Sequence, residues 1–173
     1  MTLNTQQISK WLKDMDLQFF HDTQYPLIYF SYGKDKYRQA HYIRAIEEVS
    51  LFDWQVQITD DNGENINIKN QKHLIPLIKY ILKLNYNTSV GSWDVDLDSG
   101  DIRFAYELPL EDALMSKKQF KRIAEHMIIS SEYGTNSICY ILDTGDIPEN
   151  DMTEYLFSDS EKSNENVDDE DGI

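Results

Sequence analysis

The sequence predicts an α+β domain, a twisted antiparallel β-sheet with helices packed on it, followed by an acidic tail. Three observations lead there. Apolar and polar residues alternate over 52–58 and again over 93–98 and 102–108 on either side of Ser99-Gly100, the period of half-buried strands. Segments with apolar residues at helical spacing stand before, between and after these runs. From Asp143 to Ile173 the chain carries 12 acidic residues and one basic residue, Lys162, and few apolar ones.

The first helix is expected over 5–15, where Ile8, Trp11, Leu12 and Met15 recur at helical spacing and Thr5 offers a cap. Two β-prone runs follow, Leu17–His21 and Leu27–Tyr32, with a turn around Asp22–Pro26 between them. The polar stretch 33–41 reads as a loop and 42–59 as a longer β-rich segment. In its second half Phe52, Trp54, Val56 and Ile58 face one way and Asp53, Gln55 and Gln57 the other. Asp61-Asn62-Gly63 closes it with turn chemistry.

The next helix is expected from about Asn70 to Leu84, starting nearer Ile75 or with a distorted first turn because of Pro76. A hairpin follows. Trp93, Val95 and Leu97 alternate with Asp94, Asp96 and Asp98; beyond Ser99-Gly100, Ile102, Phe104, Tyr106 and Leu108 alternate with Arg103, Ala105 and Glu107. Leu97 opposite Ile102 pairs Val95 with Phe104, Trp93 with Tyr106, and Asp96 with Arg103. Trp54, Trp93, Val95, Phe104 and Tyr106 are the expected core. Ser116 and Gln119 have the form of a capping box opening a helix that Gly134 is expected to end. Ser137–Leu142 is a short helix or a last strand, and periodicity does not decide between them. The domain is expected to span 1–145. Residues 146–173 form a tail predicted to be disordered and to add nothing to stability, with Tyr155–Phe157 as an apolar island inside it.

Charge and composition exclude several functions. Of the net −15, the tail from Asp143 holds −11, leaving 19 acidic against 15 basic residues before it. Nucleic-acid binding draws on clustered Lys and Arg, so it is not expected. No apolar run is long enough to cross a membrane. The absence of a leader pattern in 1–7 and the single Cys139 point to the cytoplasm.

Phosphate-loop, dinucleotide, nucleophile-elbow and zinc-protease motifs are all absent, and no cofactor is implied. His21, His41, His73 and His126 lie far apart in sequence and read as structural or surface residues. Cys139 reads as a small buried hydrophobe. Asp94, Asp96 and Asp98 resemble the start of a calcium loop. Gly100 falls one place late, however, Ala105 stands at the twelfth position, and same-face strand residues lie about 6.6 Å apart. A solvated face is expected, with weak cation binding as the alternative. Lys117, Lys118, Lys121 and Arg122 form the one basic cluster, a candidate patch for an acidic partner or a plain solvated face.

The segment LNYNTSVGSWDVDLDSGDIRFAYELPLEDA (84–113), followed by LMSKKQF (114–120), resembles the YbjN family. There a helix ending in Leu-Asn-Tyr leads to a Gly-led strand, a hairpin with Gly in its turn, a strand ending in Leu-Pro and a Ser- or Thr-capped helix. The match runs from Leu74 to Met127. The resemblance implies a fold like that of type III secretion chaperones, often dimeric. It also implies a candidate bacterial sensory-transduction regulator or chaperone-like protein. Residues 33–50 and the acidic tail depart from the pattern.

The function these readings support is a non-catalytic protein-binding module, chaperone-like or regulatory, whose partner is another protein. The alternative is a small-molecule or cation sensor using the Asp94–Asp98 face or a pocket between sheet and helices. As a sheet edge, Leu27–Tyr32 would accept an extended partner, with Ile28, Phe30 and Tyr32 on one face and Leu27 and Tyr29 on the other. The alternative is a buried central strand.

Overall fold

The structure is a computed structural model describing residues 3–22, 24–33, 36–110 and 115–149, so the tail expectation lies outside the described residues from 150 onward. The elements in order are α1 (Thr5–Asp14), β1 (Phe20–Asp22), β2 (Leu27–Tyr32), β3 (Arg38–Ile46), β4 (Leu51–Thr59), α2 (Leu74–Asn87), β5 (Ser92–Val95), β6 (Ile102–Pro109) and α3 (Lys117–Thr144). The strands form one antiparallel sheet in the order β1-β2-β3-β4-β6-β5. The expected α+β class is the one observed.

Several boundaries differ from expectation for identifiable reasons. Asn4, not Thr5, caps α1, its Oδ1 accepting from the Gln7 amide at 2.9 Å. Strand β1 is Phe20–Asp22 rather than Leu17–His21. Strand β3 begins at Arg38, inside the expected loop, because its inward residues Gln39 and His41 are polar and hide the alternation. Both are nonetheless buried and bonded to one another. A 3₁₀ turn at Glu47–Val49, with Ser50 in the left-handed region, splits the expected 42–59 segment into β3 and β4. Pro76 is the third residue of α2, where its missing N–H has no intrahelical partner to lose.

The hairpin slips by two residues from the expected register. Val95, not Leu97, faces Ile102; Trp93 faces Phe104, and Asp94 faces Arg103. The cause is the Asp96 carboxylate, which accepts from the Asp98 and Ser99 amides at 2.8 and 3.2 Å and folds 96–101 into a loop. Gly100, at φ +86°, then offers its carbonyl to the Ile68 amide at 2.8 Å. An even slip keeps every side chain on its expected face.

Helix α3 runs 28 residues through Gly134 and absorbs 137–142 as helix. Ser116 and Gln119 do form the capping box, with the Gln119 amide donating to Ser116 Oγ at 3.1 Å and the Ser116 amide to Gln119 Oε1 at 2.8 Å. Gly134 is a packing residue instead of a stop: the Trp93 indole lies so close that a Cβ would meet it at 2.5 Å. The helix ends at Gly145 in the left-handed conformation.

All three helices among the described residues lie on one face of the sheet and close the core there. Trp54 and Phe104 are fully buried and Trp93 nearly so, with Val95 and Tyr106 half-buried. Phe120 of α3 packs on Trp54 and Phe52, with ring centroids 6.1 Å apart in each pair.

Candidate functional site

The described helices, all on one face, leave the other without a helical cover. The strand register gives that open face its composition. One row reads Phe20, Tyr29, Tyr42, Gln55, Ala105 and Ser92 across the six strands. Its first three members are aromatic. Phe20 is 65% exposed, while Tyr29 and Tyr42 are half-buried with ring centroids 5.4 Å apart. Burial pushes the Tyr42 phenol above its ordinary pKa, with the neighbouring Tyr29 adding to the shift.

The adjacent row reads Asp22, Leu27, Arg44, Asp53 and Glu107. Asp53 is buried although it lies on the uncovered face. Arg44 donates to its Oδ2 through Nε at 2.7 Å, and Gln55 Nε2 reaches its Oδ1 at 3.2 Å. A carboxylate so deep is tolerated because charge-assisted bonds replace its water. The face is therefore aromatic over β1–β3 and polar over β4–β5.

The residues expected to bind divide between the two faces. Strand β2 is not an edge: β1 pairs with Leu27–Tyr29 on one side, and β3 pairs along its whole length on the other. Ile28 and Phe30 are buried core under the helices. Tyr32 also points inward, its hydroxyl donating to the Ile128 carbonyl of α3 at 3.3 Å. Of the four, Tyr29 alone faces the open side. A strand apolar on both faces needs two covers, and the helices supply only one.

The basic cluster is partly neutralised. Lys117 pairs with Asp14 of α1 at 2.6 Å and Lys121 with Glu125 at 3.7 Å, and all four side chains of the cluster are exposed, Lys118 and Arg122 standing outside these two ion pairs. The three aspartates are dispersed. Asp94 lies 3.4 Å from Arg103, and Asp96 is spent on the loop amides that hold its carboxyl below the usual range. Asp98 points to solvent. Asp94 and Asp96 do border a cavity of about 430 Å³ with Gln57, Asn65, Asp101 and Arg103. No cluster of three metal-ligating side chains occurs among the described residues.

The histidines stay on separate elements. His21 of β1 meets Ser9 of α1 at 3.2 Å, with no carboxylate bonded to the ring among the described residues. His73 precedes α2, and His126 is exposed on α3. His41 is fully buried against the Phe30 and Tyr32 rings, at centroid distances of 4.4 and 5.1 Å. The Trp54 indole N–H donates to its Nδ1 at 3.2 Å, which places the ring proton on Nε2, facing Gln39 Oε1 at 3.1 Å. The Ser131 hydroxyl completes the network by donating to the same Gln39 oxygen at 3.0 Å. This is a satisfied structural site without access to substrate.

The aromatic row was missed in the sequence because Phe20, Tyr29 and Tyr42 lie on three separate strands. Only the pairing order β1-β2-β3 brings them together. Their outward parity was the available signal.

No family model and no curated protein matches the sequence. Among solved structures, the crystal structure of YbjN, a candidate transcription regulator from E. coli, is similar at a TM-score of 0.51 and 12% identity. It covers 86% of this chain and 97% of that one. A chain of the HopA1–SchA chaperone–effector complex is similar at a TM-score of 0.45 and 12% identity, over 73% of this chain and 86% of that one. The likeness to YbjN is one of fold, as the hairpin and capped helix implied.

Proposed function

We propose that this chain is a non-catalytic protein-binding module, chaperone-like or regulatory, that holds a segment of another protein against the open sheet face at Phe20, Tyr29 and Tyr42. One observation carries the reading: three aromatic side chains stand in register on adjacent strands of a face that no described helix covers. Aromatic residues supply much of the energy at protein interfaces, and a polar rim around them is the usual anatomy. Arg44, Gln55 and Gln57 provide that rim. The separated histidines and the engaged carboxylates support the non-catalytic part of the reading. They also count against the cation or small-molecule alternative, since Asp94 and Asp96 already have partners. A cytoplasmic setting belongs to the same proposal: Cys139 is buried, and no described helix is long and apolar enough to cross a membrane.

The test is affinity capture from the source cell with the full chain as bait, comparing wild type with Phe20→Ser and with Tyr29→Ala. Phe20→Ser removes a largely exposed ring and should leave melting unchanged. A partner retained by wild type and lost by both variants is the expected result. Identical recovery by all three baits sinks the assignment to this face.

A further inference from the structure

Helix α2 is apolar on two sides. Leu77, Tyr80, Ile81 and Leu84 are buried inward. On the opposite side Ile75, Leu82 and Tyr86 are 68%, 64% and 90% exposed, with half-buried Ile78 between them. The spacing 75, 78, 82, 86 makes one continuous stripe, about 16 Å long at helical rise. Lys79 and Lys83 flank it, and α2 contains no carboxylate. A stripe of this kind needs an occupant that is apolar and negatively charged.

The chain holds such a segment within reach. Helix α3 ends at Gly145, where a Cβ would meet the His73 ring at 2.4 Å, so the tail departs beside the start of α2. Seven residues on begins Met152-Thr153-Glu154-Tyr155-Leu156-Phe157, preceded by Asp151 and followed by Asp159 and Glu161. Seven residues reach about 23 Å when extended, farther than the stripe is long. We propose that Met152–Phe157 binds the outer stripe of α2 within the same molecule, its apolar side chains on Ile75, Ile78, Leu82 and Tyr86 and its carboxylates near Lys79 and Lys83. Tethering raises the local concentration of the segment to the millimolar range, so modest contacts suffice. A second α2 offers the same apolar surface but no counter-charge, which favours the tail over a second copy.

The experiment attaches a nitroxide to Ser158→Cys in the full chain, where Cys139 is buried, and records amide signals with the label oxidised and reduced. The expected result is signal loss concentrated on residues 75–86 and unchanged on dilution. Leu82→Glu, an exposed position that the fold tolerates, should abolish that loss, and so should Leu156→Ser in the tail. Loss that weakens on dilution would assign the stripe to a second copy and overturn the proposal. Loss spread evenly over the domain, centred on Lys118 and Arg122, or centred on Phe20 and Tyr29 overturns it equally.

Discussion

Acid should destabilise this protein through His41, and the amount follows from its surroundings. Burial pushes the ring from an ordinary pKa of 6.5 down to about 3. A second proton would have to sit on Nδ1, where the Trp54 indole N–H already points. Between these pKa values the unfolded chain binds a proton that the folded chain refuses. The stabilisation is thus complete above pH 6.5 and lost as pH falls toward 3. Three and a half units correspond to about 5 kcal/mol over the whole window, as much as the entire stability of a marginal domain.

The perturbation is His41→Gln, which cannot titrate but can still accept from the indole and donate to Gln39. The assay is urea unfolding followed by tryptophan fluorescence. From about pH 7.5 to about pH 4.5 the wild type should lose about 3 kcal/mol more than the variant, whatever the variant's cost at neutral pH. Carboxylates titrate in both proteins and cancel in the comparison. Parallel pH profiles for the two would refute the reasoning, since they would mean that His41 takes up its proton without unfolding the core.

Gly134→Ala should destabilise by about 1–3 kcal/mol, because overpacking against the Trp93 indole outweighs the gain of about 1 kcal/mol in helix propensity. Chemical unfolding measures it, and a stabilised variant would contradict the packing. The Cys139 thiol is pushed up to about 12 by burial, with the nearby Asp143 charge adding to the shift. It should therefore resist thiol reagents in the folded protein and react fully in denaturant, as a colorimetric thiol assay would report.

Legibility in the sequence followed local chemistry. The Ser116–Gln119 cap and the span Leu27–Tyr32 could be read because each depends on neighbouring residues alone. The start of β3 could not, since Gln39 and His41 look like loop residues until Trp54 and Ser131 are seen to bond them. Gly134 carries the same letter whether it ends a helix or admits an indole, and only Trp93 tells the two apart. The hairpin slip has the same origin, because alternation makes Asp96 an outward strand residue while its carboxylate in fact builds a loop. For the candidate site, the apolar double face of β2 was visible in the sequence. Its aromatic neighbours required the strand order.

The length of α3 has a consequence for how the protein is made. One helix pairs with α1 through Lys117 and Asp14, seals the sheet through Phe120 and Ser131, and meets α2 where the Tyr80 hydroxyl shares hydrogen bonds with those of Tyr133 and Ser137. Among the described residues it is also the last regular element to be synthesised. Strand β4 is complete at Thr59, but its inward Phe52 and Trp54 wait for residues up to Thr144 before their cover exists. At about 5–20 residues per second that delay is on the order of 10 s. During it the nascent chain displays an apolar sheet face to the cell, and early folding intermediates should be the species most in need of a chaperone's protection.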